Sequence, residues 1–138
     1  MTVSSALDPP VDPADVQADV EAVLREFLTA KSESAVSRGL PADIPCTLRG
    51  FLEGGKRLRP LLCWAGWRTA GGRSGGTAVL RVAAALEMFH AFCLIHDDIM
   101  DRSATRRGHP TVHRALAMRH PSPRGDDAAW WGGCAARS

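Results

Sequence analysis

Residues 78–101 read AVLRVAAALEMFHAFCLIHDDIMD, and the fold turns on how that stretch is interpreted. Val79, Val82, Leu86, Phe89, Cys93 and Leu94 recur at helical spacing, which predicts an amphipathic α-helix over 78–100 with a wide apolar face and Thr77 as its cap. The last turn departs from an ordinary core helix. At about 100° per residue, Asp97 and Asp101 share a face, His90 projects within roughly 20° of Asp97, and Asp98 points about 100° away. Carboxylates one turn apart repel each other by a few tenths of a kcal/mol, and at a helix C-terminus they also oppose the macrodipole. A cation should compensate them. Oxygen-only donors suit a hard divalent ion such as Mg2+, held by one or two carboxylates together with waters and substrate phosphates. The competing view makes these aspartates a solvated helix end with Arg102 and Arg106 as surface partners.

Outward from that helix the pattern stays helical. Asp12 before Pro13 is a cap with proline in the first helical position, and Val16, Val20, Val23, Leu24, Phe27 and Leu28 follow at helical spacing up to an expected end near Arg38-Gly39. A short helix is expected over 44–52, broken at Gly54-Gly55, and another over 58–69, where Pro60 falls in a tolerated first turn. GGRSGG at 71–76 is a loop, and nothing alternates with period two. The fold class is therefore all-α, a helical bundle. Residues 1–14, with several prolines, serines and aspartates, are expected to form a mobile leader.

Composition narrows the function. With 138 residues, 45% of them hydrophobic, the chain should bury a single core rather than two domains. Seventeen basic against fifteen acidic residues leave a formal charge of +2, so no global field favours nucleic acid. Cys46, Cys63, Cys93 and Cys134 lack CxxC or zinc-like spacing and fit reduced thiols in a cytoplasmic protein. The first fifteen residues lack the basic and apolar regions of a secretion signal. No run approaches the roughly eighteen uninterrupted apolar residues of a membrane span, so none is expected.

Two basic clusters accompany the aspartates. In GGKRLRP, residues 54–60, the glycines permit close backbone approach, and Lys56 and Arg59 are spaced to converge on one anion. In Arg106-Arg107-Gly108 two guanidinium forks follow the acidic turn. Each cluster alone is as well explained by a solvated surface. Together with the carboxylates and His90 they describe a site for two polyanions, one bridged by Mg2+ and one held by cations directly.

GGKRLRP, EMFHAFCLIHDDIMD and RSATRRGHPTVH, in that order, resemble the first three signature blocks of the trans-isoprenyl diphosphate synthases, the polyprenyl synthetase family, over residues 15–118. The resemblance implies the N-terminal helices of an isoprenoid-synthase bundle, commonly homodimeric. It implies that Asp97 and Asp101, with Asp98 nearby, bind Mg2+ that chelates an allylic diphosphate, and that Arg106 holds that same group. Lys56, Arg59, His90 and Arg107 would take the diphosphate of isopentenyl diphosphate. Asp97, Asp101 and Arg106 would carry the chemistry: ionisation of the allylic C–O bond, attack by the isopentenyl double bond and loss of a proton. Phe92 and Cys93, five and four positions before Asp97, would line the floor of the elongation cavity and favour a C15 to C20 product.

The chain also departs from the family, whose members are about twice as long and carry a second aspartate-rich motif and a later lysine. Asp126-Asp127-Ala128-Ala129-Trp130 imitates that motif, but tryptophan stands where the last carboxylate is needed. Residues 119–138, RHPSPRGDDAAWWGGCAARS, lack Leu, Ile and Val and are expected to be an aberrant, disordered tail. The expectation is thus an N-terminal portion cut short by a frameshift or premature stop, with little synthase activity alone and an unpartnered apolar face on the 78–100 helix. Three alternatives compete with it. A terpene cyclase has no second diphosphate to hold, a noncatalytic partner of a full-length synthase would tolerate the missing half, and a nucleic-acid module would use the arginines with Trp130-Trp131.

Overall fold

The computed structural model describes residues 12–73 and 76–119. Most of the expected leader and nearly all of the expected tail, with Trp130, Asp126, Asp127 and Cys134, therefore lie outside the described residues. The elements in order are α1 (Pro13–Ser37), α2 (Asp43–Leu52), α3 (Leu58–Thr69), α4 (Thr77–Met100), a two-stranded hairpin of β1 (Thr105–Arg106) and β2 (His109–Pro110), and α5 (Val112–Arg119).

Local chemistry sets these boundaries. Asp12 Oδ1 accepts the Ala14 amide at 2.8 Å, so Pro13 enters the first turn of α1 where its missing N–H costs nothing. Gly39, at φ 68°, closes α1: its amide donates to Val36 O, and the Leu40 amide reaches Ala35 O at 2.9 Å, the paired bonds of a Schellman motif. Helix α4 ends the same way without a glycine. The Ser103 amide donates to Asp98 O at 2.9 Å and the Arg102 amide to Ile99 O, which forces Arg102 to φ 52°. At its start, α4 takes in one residue more than expected. The Leu80 amide donates to Gly76 O, so Gly76 is the cap and Thr77 the first helical residue. The hairpin and α5 are absent from the elements expected above, and two-residue strands are too short to show alternation. The hairpin turns through Arg107 at φ 53° and Gly108 at φ 81°, the two positive values a two-residue type I′ loop requires.

Instead of one core, the described residues form two compact units, each taking part of α1 and part of α4. In the first, Val16, Val20 and Leu24 bury one face of α1, and Val79, Ala83 and Ala84 bury the start of α4. In the second, Leu28, Leu52 and Ala91 form one cluster, while Ile95, Val112 and Leu116 form another; Leu48 and Phe51 of α2 pack against both. Helix α5 lies against α2, with Arg119 Nη1 donating to Thr47 Oγ1 at 2.9 Å.

The apolar face expected for α4 is largely exposed. Val82, Leu86, Phe89, Phe92 and Met100 stand in solvent, and the buried positions are Val79, Ala83, Ala84, Glu87, Ala91, Ile95 and Asp98. Ala83, Ala84 and Ala91 are three of these seven, and their small side chains allow neighbouring backbones to approach closely. By length and composition, α4 is long and apolar enough to cross a membrane. The run is not uninterrupted, since Arg81 and Glu87 fall within it, so it is the average hydropathy and the length that meet the measure. The core helix of a soluble protein meets the same criterion.

Two outcomes test this packing. Leu116 is 2% exposed, and Leu116→Ala should cost about 2–5 kcal/mol in denaturant unfolding, whereas exposed Met118→Ala should stay within about 0.5 kcal/mol. Burial, with Arg114 adding to it, depresses the pKa of His113 against a smaller opposing pull from Asp98. The folded state then binds this proton less readily than the unfolded chain, so stability is retained above the ordinary histidine pKa and lost as pH falls through it. Melting curves of wild type and His113→Asn should diverge less at pH 5 than at pH 8.

Candidate functional site

The acidic turn divides into two faces. Asp97 and Asp101 are exposed and one turn apart, joined by the Asp101 amide donating to Asp97 O at 2.8 Å. Asp98 is 2% exposed and faces the other way. Arg106 grips it with a full fork: Nε donates to Oδ2 and Nη2 to Oδ1, both at 2.8 Å. The hydrogen bonds to Asp98 hold the Arg106 guanidinium above its usual range; partial burial acts against them, and the charges of Asp98, Asp97 and Asp101 act with them. Arg106 is thus a permanent cation beside the acidic turn. Two of its five N–H groups are committed to Asp98, which leaves three for another acceptor.

That fork fixes the hairpin to the end of α4. Thr111, 1% exposed, completes the attachment, its hydroxyl donating to Ser103 O at 2.8 Å and its amide to Ala104 O at 3.1 Å. The Thr111 carbonyl then accepts the Ala115 amide and starts α5. Arg107 is exposed at the turn of this hairpin, in the left-handed conformation. Its side chain projects from a backbone that bulky residues enter only at a cost of about 1–2 kcal/mol.

The remaining residues selected from the sequence separate by unit. In the second unit, His90 and Cys93 are half-buried on α4, and exposed Phe92 stands 6.4 Å from the Phe89 ring and 6.0 Å from the His96 ring, centroid to centroid. In the first unit, Lys56 and Arg59 are both exposed and flank the start of α3. Between them Arg57 turns inward, 7% exposed, with Nη1 donating to Glu87 Oε2 at 3.3 Å and Nε 3.6 Å from Glu21 Oε1. Sequence reasoning passed over Arg57 and Glu87. The signal was present: a lone carboxylate inside the apolar AALEMF stretch demands a cation once that helix packs.

The donor set fits a hard cation, with Asp97 and Asp101 exposed and Asp98 turned to Arg106. Among the described residues no three His, Cys, Asp or Glu side chains converge as a metal cluster. Asp97 and Asp101 supply the one or two carboxylates that Mg2+ ordinarily takes from a protein, the rest of its octahedron coming from water and phosphate oxygens.

A family profile described as Polyprenyl synthetase matches residues 47–122, which include all three motif blocks. Over 92 residues the chain is 42% identical to a geranylgeranyl diphosphate synthase of Cyanophora paradoxa, covering 64% of this chain and 30% of that protein. Over 60 residues it is 52% identical to a geranylfarnesyl diphosphate synthase of Aeropyrum pernix, covering 44% of this chain and 19% of that protein. The crystal structure of a geranylgeranyl pyrophosphate synthase from Corynebacterium glutamicum, complexed with isoprenyl diphosphate and magnesium, superposes with a TM-score of 0.73 at 38% identity, covering 92% of this chain and 40% of that one. The chain spans about a third or less of the length of these curated relatives. The match to the family profile extends over more than half of the chain and the likeness in structure runs through the same helices, so the chain belongs to the polyprenyl synthetase family.

Proposed function

We propose that these residues form the first aspartate-rich half of a trans-prenyltransferase, which condenses an allylic diphosphate with isopentenyl diphosphate. The observation that carries this reading is the exposed Asp97 and Asp101 pair on the last turn of α4, with Arg106 held beside it by Asp98. Mg2+ bound there would neutralise charge growing on the leaving diphosphate as the allylic C–O bond breaks. Asp97 and Asp101 would hold that ion, and the uncommitted N–H groups of Arg106 would stabilise the same leaving group. Lys56, Arg59, His90 and Arg107 take the role of binding the isopentenyl diphosphate, whose double bond attacks the allylic cation. A proton is then lost to the departing diphosphate. The geranylgeranyl and geranylfarnesyl names of the relatives and the magnesium complex of the structural neighbour support this assignment.

Phe92 and Cys93 are assigned to the floor of the elongation cavity, for a product of C15 to C20. Because the chain matches only part of its relatives, the condensation is proposed for a complete synthase containing these residues. The step that the chain's own residues carry is Mg2+-dependent diphosphate capture. A second reading, a noncatalytic partner of a full-length synthase, draws on exposed Phe89, Phe92 and Met100. Co-purification with such a synthase and a change in its product length would select it.

Calorimetric titration of the 138-residue chain with geranyl diphosphate tests the main reading. Heat of binding should require Mg2+, and Asp97→Ala or Asp101→Ala should each weaken binding at least about tenfold, about 1.4 kcal/mol. Binding that ignores both Mg2+ and these substitutions would end the proposal. Asp98→Asn should keep the Mg2+ requirement yet lower affinity about 10- to 100-fold, the usual effect of removing a group that orients a ligand. Loss of all Mg2+-dependent binding in Asp98→Asn would instead make Asp98 a direct metal ligand.

A further inference from the structure

We propose that Arg57, drawn into a buried ion pair with Glu87, is the positioning residue that fixes the backbone from which Lys56 and Arg59 reach a diphosphate. The proposal rests on the assignment of Lys56 and Arg59 to diphosphate binding. Three cations stand within four residues here, and their environments differ. Lys56 and Arg59 are exposed, whereas Arg57 is 7% exposed and its carboxylate partner Glu87 is equally buried. A guanidinium so enclosed is poorly placed to receive a substrate from solvent, so its contribution passes through its neighbours.

The backbone supports the same conclusion. Arg57 sits at φ 47°, in the left-handed region that residues with a Cβ seldom adopt, and its carbonyl accepts the Leu61 amide at 3.1 Å to open α3. Strain of this kind persists where surrounding contacts over-determine it. Those contacts are visible. Arg57 Nη1 bonds Glu87 Oε2 of α4, Nε lies 3.6 Å from Glu21 Oε1 of α1, and Gln17 Nε2 of α1 donates to Lys56 O at 3.0 Å. The loop is thereby tied at two consecutive residues, one by its side chain and one by its carbonyl.

Stability alone is a poor explanation. An apolar pair of similar volume usually replaces a buried ion pair without loss, and often with gain. What an ion pair adds is a defined geometry: the guanidinium must meet Glu87, and a left-handed Arg57 then determines where the residues on either side leave the loop. Lys56 and Arg59 are so oriented before any anion arrives, which lowers the ordering cost of binding.

The test uses the 138-residue chain with Arg57→Asn/Glu87→Gln, which removes both buried charges at once while asparagine still accepts the left-handed backbone. Hydrogen exchange at the amides of residues 56–59 should accelerate at least about tenfold more than at α5, and affinity for inorganic pyrophosphate should fall about tenfold. Arg57→Lys, which keeps the charge, should retain much of the protection at these amides. Wild-type exchange at 56–59 in the double variant overturns the proposal. So does acceleration spread equally over α3 and α5, which would mark a purely structural role. If the wild-type chain binds no pyrophosphate, the diphosphate assignment of Lys56 and Arg59 fails, and the exchange comparison by itself decides whether Arg57 is an anchor.

Discussion

Two carboxylates buried on one helix govern the arrangement of the basic segments. Glu87 and Asp98 of α4 are among the least exposed polar residues described, and each captures one arginine, Arg57 and Arg106 respectively. The reason is energetic. A carboxylate taken out of water is tolerated only with a counter-charge and hydrogen bonds, and removing one member of such a pair costs about 3–5 kcal/mol. The two arginines belong to the two segments that carry the remaining candidate cations. Lys56 and Arg59 flank Arg57, and Arg107 follows Arg106. Helix α4 therefore specifies, from its own buried acids, the local geometry of a basic loop in one unit and of a hairpin in the other.

This division of labour accounts for part of the clustering of arginines in the two segments. In each segment one arginine serves the fold and its neighbours face solvent. The geometry of guanidinium suits the inner role, since its planar fork can meet both oxygens of a carboxylate, as Arg106 meets Asp98 at 2.8 Å twice over. Lysine could not reproduce that contact. All three described non-glycine residues with positive φ are arginines, namely Arg57, Arg102 and Arg107, and each stands where a helix or hairpin begins, ends or turns. Among the described non-glycine residues, the left-handed backbone is thus confined to these three arginines.

Much of this was legible in the sequence because it rests on local rules. Asp12-Pro13, Gly39 and the Gly54-Gly55 break mark helix ends through capping and φ preference, and the structure follows them within a residue or so. The helical spacing of Asp97 and Asp101 likewise identifies a shared exposed face. What escaped depends on tertiary pairing. Helical geometry put Asp98 off the face of the other two aspartates, but only the return of the chain through the hairpin shows that Arg106 takes both its oxygens. The burial of Glu87 and the inward turn of Arg57 were hidden for the same reason, since three adjacent cations look alike until a packed helix selects one. The two-residue strands carried no period to detect. On α4, hydropathy alone pointed to Val82, Leu86 and Phe89 as the packed face, whereas packing selected Ala83, Ala84 and Ala91, where small side chains permit close approach.

The end of α4 shows how stability and function are balanced in this segment. Three aspartates in five residues at a helix C-terminus oppose the macrodipole and one another, and the helix closes through Arg102 in a left-handed conformation rather than through a glycine. A helix end selected for stability alone would place Lys or Arg in that last turn and Gly after it. Arg106 offsets part of the excess charge by neutralising Asp98. The same contact leaves Asp97 and Asp101 exposed, with no ion pair to another side chain among the described residues. Such a pair is destabilising until a cation arrives. A multivalent ion bound there would supply the charge the turn lacks, beside the cation of Arg106 that Asp98 holds at 2.8 Å.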